Sequence, residues 1–493
     1  MKKLSAFAML CLASASGQAL AAATPDQAAA IASAFEAYTG GTPGVVTVTP
    51  KGDDYEIKLD AGPIIAKNAA PNVSVEVPPY VFLARPNGDG TWAISSSGNY
   101  GITIKTPDAP EISFKATGID SKGTYDEKLG GFTSSDVKIG PTTITEIIKD
   151  PSGMVMNMSM AIQSMTHQAT GADNGSGAIN ADSTMTYTGL AGTVKTEGAP
   201  GAEVPAGALN YSFNVPEVKY VTAMKGFKSK AVMDLIAFAI ANGEKSKLAA
   251  NQAQFKDKIT AALPLWDSID STTNFGKVDV NTAIGPISLA NAGGGVTMSG
   301  ISEKGMLREA FNFSGLSIPP GIAPPWSEGL IPHTFKLDFA LDGFNLDAPA
   351  RLALAQADFS KEPPLPESAN MAMLPAFAPN NSIGLTFKDG EISAPDFKFT
   401  YEGAFTVGFA GFPSGTANLH MTGLETVISK VQAATASDPS AQQTMGGLVA
   451  LKGFGKAEAD GSMSWAIEMK PEGKVLINGL DVSGMMGLAP PQQ

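Results

Sequence analysis

Apolar and polar residues alternate with a period of two along most of this chain, the pattern of half-buried strands. "VVTVTPKGDDYEIKLDA" makes two such runs around Lys51-Gly52-Asp53-Asp54, and "FLARPNGDGTWAISS" turns at Asn87-Gly88-Asp89-Gly90. "EISFKATG", "DVKIGPTTIT", "STMTYTG" and "LNYSFNVPEVKYV" continue the alternation. Helical periodicity appears at a few places. "PDQAAAIASAFEAY" follows a Thr24 cap and stops near Gly40, and "LETVISKVQAATA" precedes the last hairpin. In the middle, "SKAVMDLIAFAIANG" is apolar nearly all round, which predicts a helix buried in protein. "EKSKLAANQAQFKDKITAAL" predicts a second, amphipathic helix ending at Pro264, and "KEPPLPESANMAMLPAFAP" reads as a proline-rich loop.

These elements predict a mainly β chain with helices (α+β): long twisted antiparallel sheet, open as a groove, with a central helical pair and a C-terminal helix. The expected organisation is a signal peptide at 1–23, a β-rich module at 24–225, a helical segment at 226–265 and a second β-rich module at 266–493. Gly-Pro followed by an apolar run recurs at "GPIIAKN", "GPTTITE" and "GPISLAN". A polar-Gly-apolar step recurs seven times: Thr117-Gly118-Ile119, Thr188-Gly189-Leu190, Ser299-Gly300-Ile301, Ser314-Gly315-Leu316, Asp342-Gly343-Phe344, Thr422-Gly423-Leu424 and Asn478-Gly479-Leu480. The echoes mark strand exits and bulges, or an old duplication about the central helices.

One stretch, "GMVMNMSMAIQSM", carries Met154, Met156, Met158 and Met160 at alternate positions. On a strand they share one face, opposite Val155, Asn157, Ser159 and Ala161. Three uses are open. The thioethers fill the protein's own core, line a wall for an apolar or lipid-like ligand, or hold Cu(I). For copper the nearby partner is His167, and an unbroken strand puts it on the opposite face.

The start of the chain changes the setting. "MKKLSAFAMLCLASASGQALAAATPDQ" has two lysines, a short apolar run and two Ala-x-Ala sites, the form of a cleavable secretory signal. The expected destination is the periplasm of a Gram-negative cell, with an uncleaved inner-membrane anchor as the weaker alternative. The only cysteine, Cys11, lies in that segment, which removes disulfide and thiolate chemistry from the rest. A formal charge of −13 with only three arginines argues against nucleic acid as a partner. Charged residues are 16%, while Gly (53) and Pro (34) are frequent, which suits many strands joined by turns. Aromatics at 8% and the central helices argue against a transmembrane barrel.

Catalytic patterns are lacking. The three histidines, His167, His333 and His420, have no metal-binding spacing, and Gly175-Ser176-Gly177 is no nucleophile elbow. Asp89, Asp173 and Asp182 sit in turn sequences without the acidic twelfth position of a calcium loop. No phosphate loop occurs, and no cofactor is implied. The residues read as a non-enzyme.

At the C-terminal end, "SGTANLHMTGLETVISKVQ" and "GKAEADGSMSWAIEMKPEGKVLINGLDVSG" form a strand ending in Thr-Gly-Leu, a helix and a closing hairpin. Those last 75 or so residues resemble exported Gram-negative proteins of the YdgA-like and, more loosely, AsmA-like families. The resemblance implies an envelope protein with a β-sheet groove that handles lipid or assists outer-membrane assembly. The competing expectation is a structural protein that meets envelope partners and holds no small ligand. A methionine-based copper protein is the third.

Overall fold

The computed structural model describes residues 22–68, 73–106, 110–149, 154–198, 210–409 and 411–484. All but the last two residues of the expected signal segment, with Cys11, lie outside the described residues, as do Met485 and Met486. Antiparallel strands dominate and helices punctuate them, as the alternation predicts. Two compact units form: residues 1–271 with 351–369, and residues 272–350 with 370–493.

In the first unit, α1 (Pro25–Thr39) starts where the Thr24 hydroxyl accepts from the Gln27 amide, and ends at left-handed Gly40. The elements β1 (Val46–Lys51), β2 (Asp54–Leu59), α2 (Gly62–Asn68), β3 (Ser74–Glu76), β4 (Tyr80–Pro86) and β5 (Thr91–Lys105) follow. Then come β6 (Glu111–Asp126), β7 (Gly131–Ile139), β8 (Thr142–Lys149), β9 (Val155–Ile162), β10 (Ser164–Asp173), β11 (Ile179–Glu197) and β12 (Tyr211–Phe227). Across the sheet, β1 pairs β2, β2 pairs β4, and β5 takes both β4 and β3 along one edge. Next, β6 pairs β7 and β8 end to end, these pair β10 and β9, and β11 and β12 close the order. One face of the first strands is the core: Ile31 and Phe35 of α1 pack on Tyr55, Ile57, Phe82 and Trp92.

A crease crosses this sheet. In β6, Thr117 and left-handed Gly118 stand where β5 has Asn99 alone, because Gly98 faces Ile119 and Tyr100 faces Ala116. The same extra residue recurs beside it, at Gly140-Pro141 between β7 and β8 and at Gln163 between β9 and β10. It continues through Gly189, whose φ is 64°, and Pro216: in β12 both Val215 and Val218 are buried, while Pro216 and Glu217 are exposed. From β6 onward each strand therefore swaps its inward parity at the crease, while β5 keeps its own, and one sheet face stays apolar on both sides. Six of the seven polar-Gly-apolar steps have their glycine at positive φ, Gly300 being the exception. The Gly-Pro echo splits: "GPIIAKN" is helical, "GPTTITE" spans the crease, and "GPISLAN" opens a strand.

The central helices depart from expectation twice. The first is α3 (Ser229–Ala241), but it is not buried: Ile236 and Ile240 are 37% and 39% exposed, and only Ser229 is buried. It packs against α1 and against α5 (Gln252–Ala262), with Phe238 stacked 6.1 Å from Phe255. One layer of helix cannot surround an all-round apolar helix, so part of α3 stays in contact with solvent. The second predicted helix is broken at Asn251 into α4 (Lys245–Ala250) and α5. Phe255 also meets Phe359 edge-on at 5.2 Å, which fastens residues 351–369 to this unit.

Further along come α6 (Asp347–Gln356) and α7 (Glu367–Phe377), and α7 occupies the expected proline-rich loop. Pro366 precedes a run of helix formers where its missing N–H costs nothing, and Pro375 lies inside the last turn, where it removes one backbone bond.

The second unit is a sheet of β14 (Gly285–Ser299), β15 (Gly305–Ser314), β16 (Thr334–Phe344), β17 (Ser382–Ala394), β18 (Phe397–Gly408) and β19 (Ser414–Thr422). It is reached through β13 (Ser268–Thr282) and extended by β21 (Met463–Met469), with β20 (Lys456–Ala457), β22 (Val475–Ile477) and β23 (Leu480–Asp481) at the end. Its core lies under α8 (Leu424–Ala434) and α9 (Pro439–Phe454), where Val427, Ile428 and Val431 meet Met421, Met463 and Trp465. The Trp465 indole donates to the Leu451 carbonyl at 2.8 Å and ties α9 down.

Candidate functional site: an open apolar sheet face

The methionine stretch is a strand, as the alternation requires, and Met156, Met158 and Met160 project from one face of β9 with buried Ile162 beyond them. Ser159 and Ala161 on the other face are exposed. Met154 is half-buried but lies one residue before the strand, so it takes no part in the ladder. Directly opposed residues of neighbouring strands share a face, and the pairing then sets out three rows. Ile104, Ile112, Glu146, Met158, Val194 and Tyr211 form one across β5, β6, β8, β9, β11 and β12. The next is Ile102, Phe114, Ile144, Met160, Gly192 and Phe213, and the third is Tyr100, Ala116, Thr142, Ile162, Leu190 and Val215.

The middle row depends on Gly192. A Cβ there would lie 2.5 Å from Cε1 and Cζ of Phe213 and 2.9 Å from the Ser159 carbonyl oxygen, so the Phe213 ring occupies the space a side chain would need. The third row is the best protected, with Ala116, Thr142, Ile162 and Val215 buried beside the crease. In the other two rows Ile144, Met158, Met160, Phe114 and Phe213 are half-buried. The two apolar clusters that helices help to form, under α1 and under α8 and α9, include no described residue of β8, β9 or β11. Along the β5 edge, between β3 and β4, lies a shallow cavity of about 520 Å³ lined by Val75, Val77, Pro78, Ile102, Phe114 and Lys115.

Beyond the crease the same face continues through Met165, His167 and Met185. His167 faces Val137 and Met185. The break at Gln163 thus puts His167 on the methionine face, the reverse of what an unbroken strand implies. Burial holds its imidazole below the ordinary histidine pKa, which favours the neutral ring. Burial also raises the Tyr100 and Tyr187 phenols above their usual value, with neighbouring Tyr80 and Tyr220 adding to the effect. His167 is three facing positions from Met160, on the order of 20 Å along the strand direction, so the copper reading has no histidine beside those sulfurs. Among the described residues no group of three or more His, Cys, Asp or Glu side chains is arranged to hold a metal.

Sequence reasoning found the methionines and missed most of their neighbours: Ile102, Phe114, Ile144, Glu146, Val194 and Phe213. Each lies at an inward position of an alternating run, so the signal was present strand by strand. Their assembly needed the register.

None of the described helices is long and apolar enough to cross a membrane. No curated protein and no solved structure matches the chain. Residues 238–483, just under half of the chain, match the model of a family described as an uncharacterized protein conserved in bacteria (DUF2125), a match that takes in the second unit and leaves the methionine strand outside it.

Proposed function

We propose that this chain is a non-enzymatic protein of the bacterial periplasm that binds an apolar, lipid-like molecule on the open face of its first unit. The observation that carries the reading is the set of three apolar rows across six strands, whose members on β8, β9 and β11 belong to neither of the apolar clusters that the helices help to form. A sheet face this apolar is ordinarily covered, and a large uncovered patch marks a binding surface. Methionine suits a seat that accepts chains of varied shape, because its side chain is flexible and its sulfur polarizable. The signal-like start and the resemblance of the C-terminal segment to YdgA-like and AsmA-like exported proteins support an envelope setting. In that setting the molecule carried is a lipid or lipid precursor, and delivery toward the outer membrane is the finer form of the reading.

Mass spectrometry of organic extracts from the protein purified out of the periplasm is the direct test. A recurrent lipid, lost when Met158→Glu and Met160→Glu are introduced together, is the expected result. Repeated extraction of no lipid, together with no uptake of a neutral apolar fluorophore, refutes it and leaves docking of another envelope protein as the use of the face.

A further inference from the structure

The three rows contain a single charged side chain, Glu146. It is half-buried, with Ile112 and Met158 directly beside it and Ile144 and Ile148 on its own strand. Among the described residues no hydrogen bond or ion pair reaches its carboxylate. The lysines of these strands do not serve it, since Lys105, Lys115, Lys149 and Lys195 all occupy positions of the opposite face, where Lys105 lies 3.7 Å from Glu111. In the second unit Val296, Glu309, Phe339 and Phe387 make a row in which Glu309 is the only charge, but there the glutamate is exposed, while the Arg308–Asp338 and Lys398–Glu391 pairs occupy the other face.

A carboxylate among apolar side chains is costly unless something pairs with it. Covering this face with a wholly apolar molecule would strip water from Glu146 and give nothing in return. A molecule that brings a positive charge would satisfy it. We propose that the seat selects a single-chain amphiphile with a cationic head, the Glu146 carboxylate taking the charge while the chain lies across Met158 toward Tyr211, over the buried Val194. From Glu146 to Tyr211 is three strand spacings, about 14 Å, room for a chain of roughly a dozen carbons. The acidic chain as a whole, at −13, adds a long-range attraction for the same sign of head. The inference rests on the apolar reading of the face and specifies its ligand.

The test compares dodecylammonium, dodecanol and dodecanoate, each below its micelle concentration, by displacement of a neutral fluorophore from the full-length protein. The ammonium should bind at least about tenfold tighter than the alcohol, as a charge-assisted contact implies, and the carboxylate weakest. In Glu146→Gln that preference should fall below about threefold, and in Glu197→Gln, on the opposite face of β11, it should persist. Glu146→Leu, a second variant, should bind dodecanol more tightly than the parent does. Equal binding of ammonium and alcohol, or a preference unchanged by Glu146→Gln, overturns the cationic head and leaves the apolar seat standing. Failure of all three probes to displace the fluorophore overturns both.

Discussion

Gly192→Ala adds one methyl group where the Phe213 ring already lies. Carbon atoms rest about 3.5–4.0 Å apart, whereas the new Cβ would stand 2.5 Å from two ring atoms and 2.9 Å from the Ser159 carbonyl oxygen. The backbone at 192 is not in the left-handed region, so the cost comes from collision alone. The ring can swing away because it is half-buried, but the Ser159 carbonyl belongs to the paired strand β9 and moves only with it. Overpacking of this kind costs about 1–3 kcal/mol. In a unit of this size that lowers Tm by about 2–8 °C, read by scanning calorimetry on the full chain. Phe213→Ala alone should cost stability by unpacking the row. The double variant should be more stable than the two single losses summed, with a coupling of at least about 0.5 kcal/mol. Additive losses, or an unchanged Tm for Gly192→Ala, would show that the ring does not occupy the space beside Gly192 and would remove the floor of the proposed seat.

Other expectations follow from single contacts. His167 has a depressed pKa in the folded state, so it contributes stability above the ordinary histidine range that is lost as pH falls through it; His167→Gln should flatten the fall in Tm between pH 7 and pH 5, and identical profiles would refute the burial argument. Asp438 caps α9 by accepting from the Ser440 amide and also accepts from the Trp326 indole at 2.8 Å, with its pKa held down by the Ser440 and Trp326 bonds. Its stabilisation is present above the ordinary carboxylate range and lost on acidification, so Asp438→Ala should lower stability at pH 7 and matter little at pH 3, as followed by circular dichroism. Trp465→Phe removes the donor to the half-buried Leu451 carbonyl and should cost about 1–3 kcal/mol, by chemical denaturation, because that bond is lost and part of a buried ring is left unfilled.

Local alternation made the strands legible, because a half-buried strand needs an apolar residue at every second place whatever it pairs with. The methionine stretch, α1 with its Thr24 cap and Gly40 stop, and the turns at Gly52 and Gly88 all came from short-range chemistry. The failures have a common origin. The exposure of α3, the break at Asn251 and the helix of α7 depend on what the rest of the chain supplies as a cover or a bracket, which periodicity does not encode. The face of His167 was misjudged for a related reason. A bulge in β6 is set by Thr117 and Gly118, and the strands beyond it, β7 to β12, shift parity with it.

Sequence by itself determined the fold class, the absence of a cysteine beyond the leading segment, and, between one bulge and the next, which side chains of a strand go together. Tertiary structure alone decided that six strands align their apolar sides into three continuous rows, that the middle of them lies outside the apolar clusters the helices form, and that among the described residues Glu146 stands unpaired. The division is physical: the side of a strand on which a residue lies follows from the residues beside it, whereas its neighbours across the sheet are set by register, which is chosen only when the whole sheet closes its hydrogen bonds.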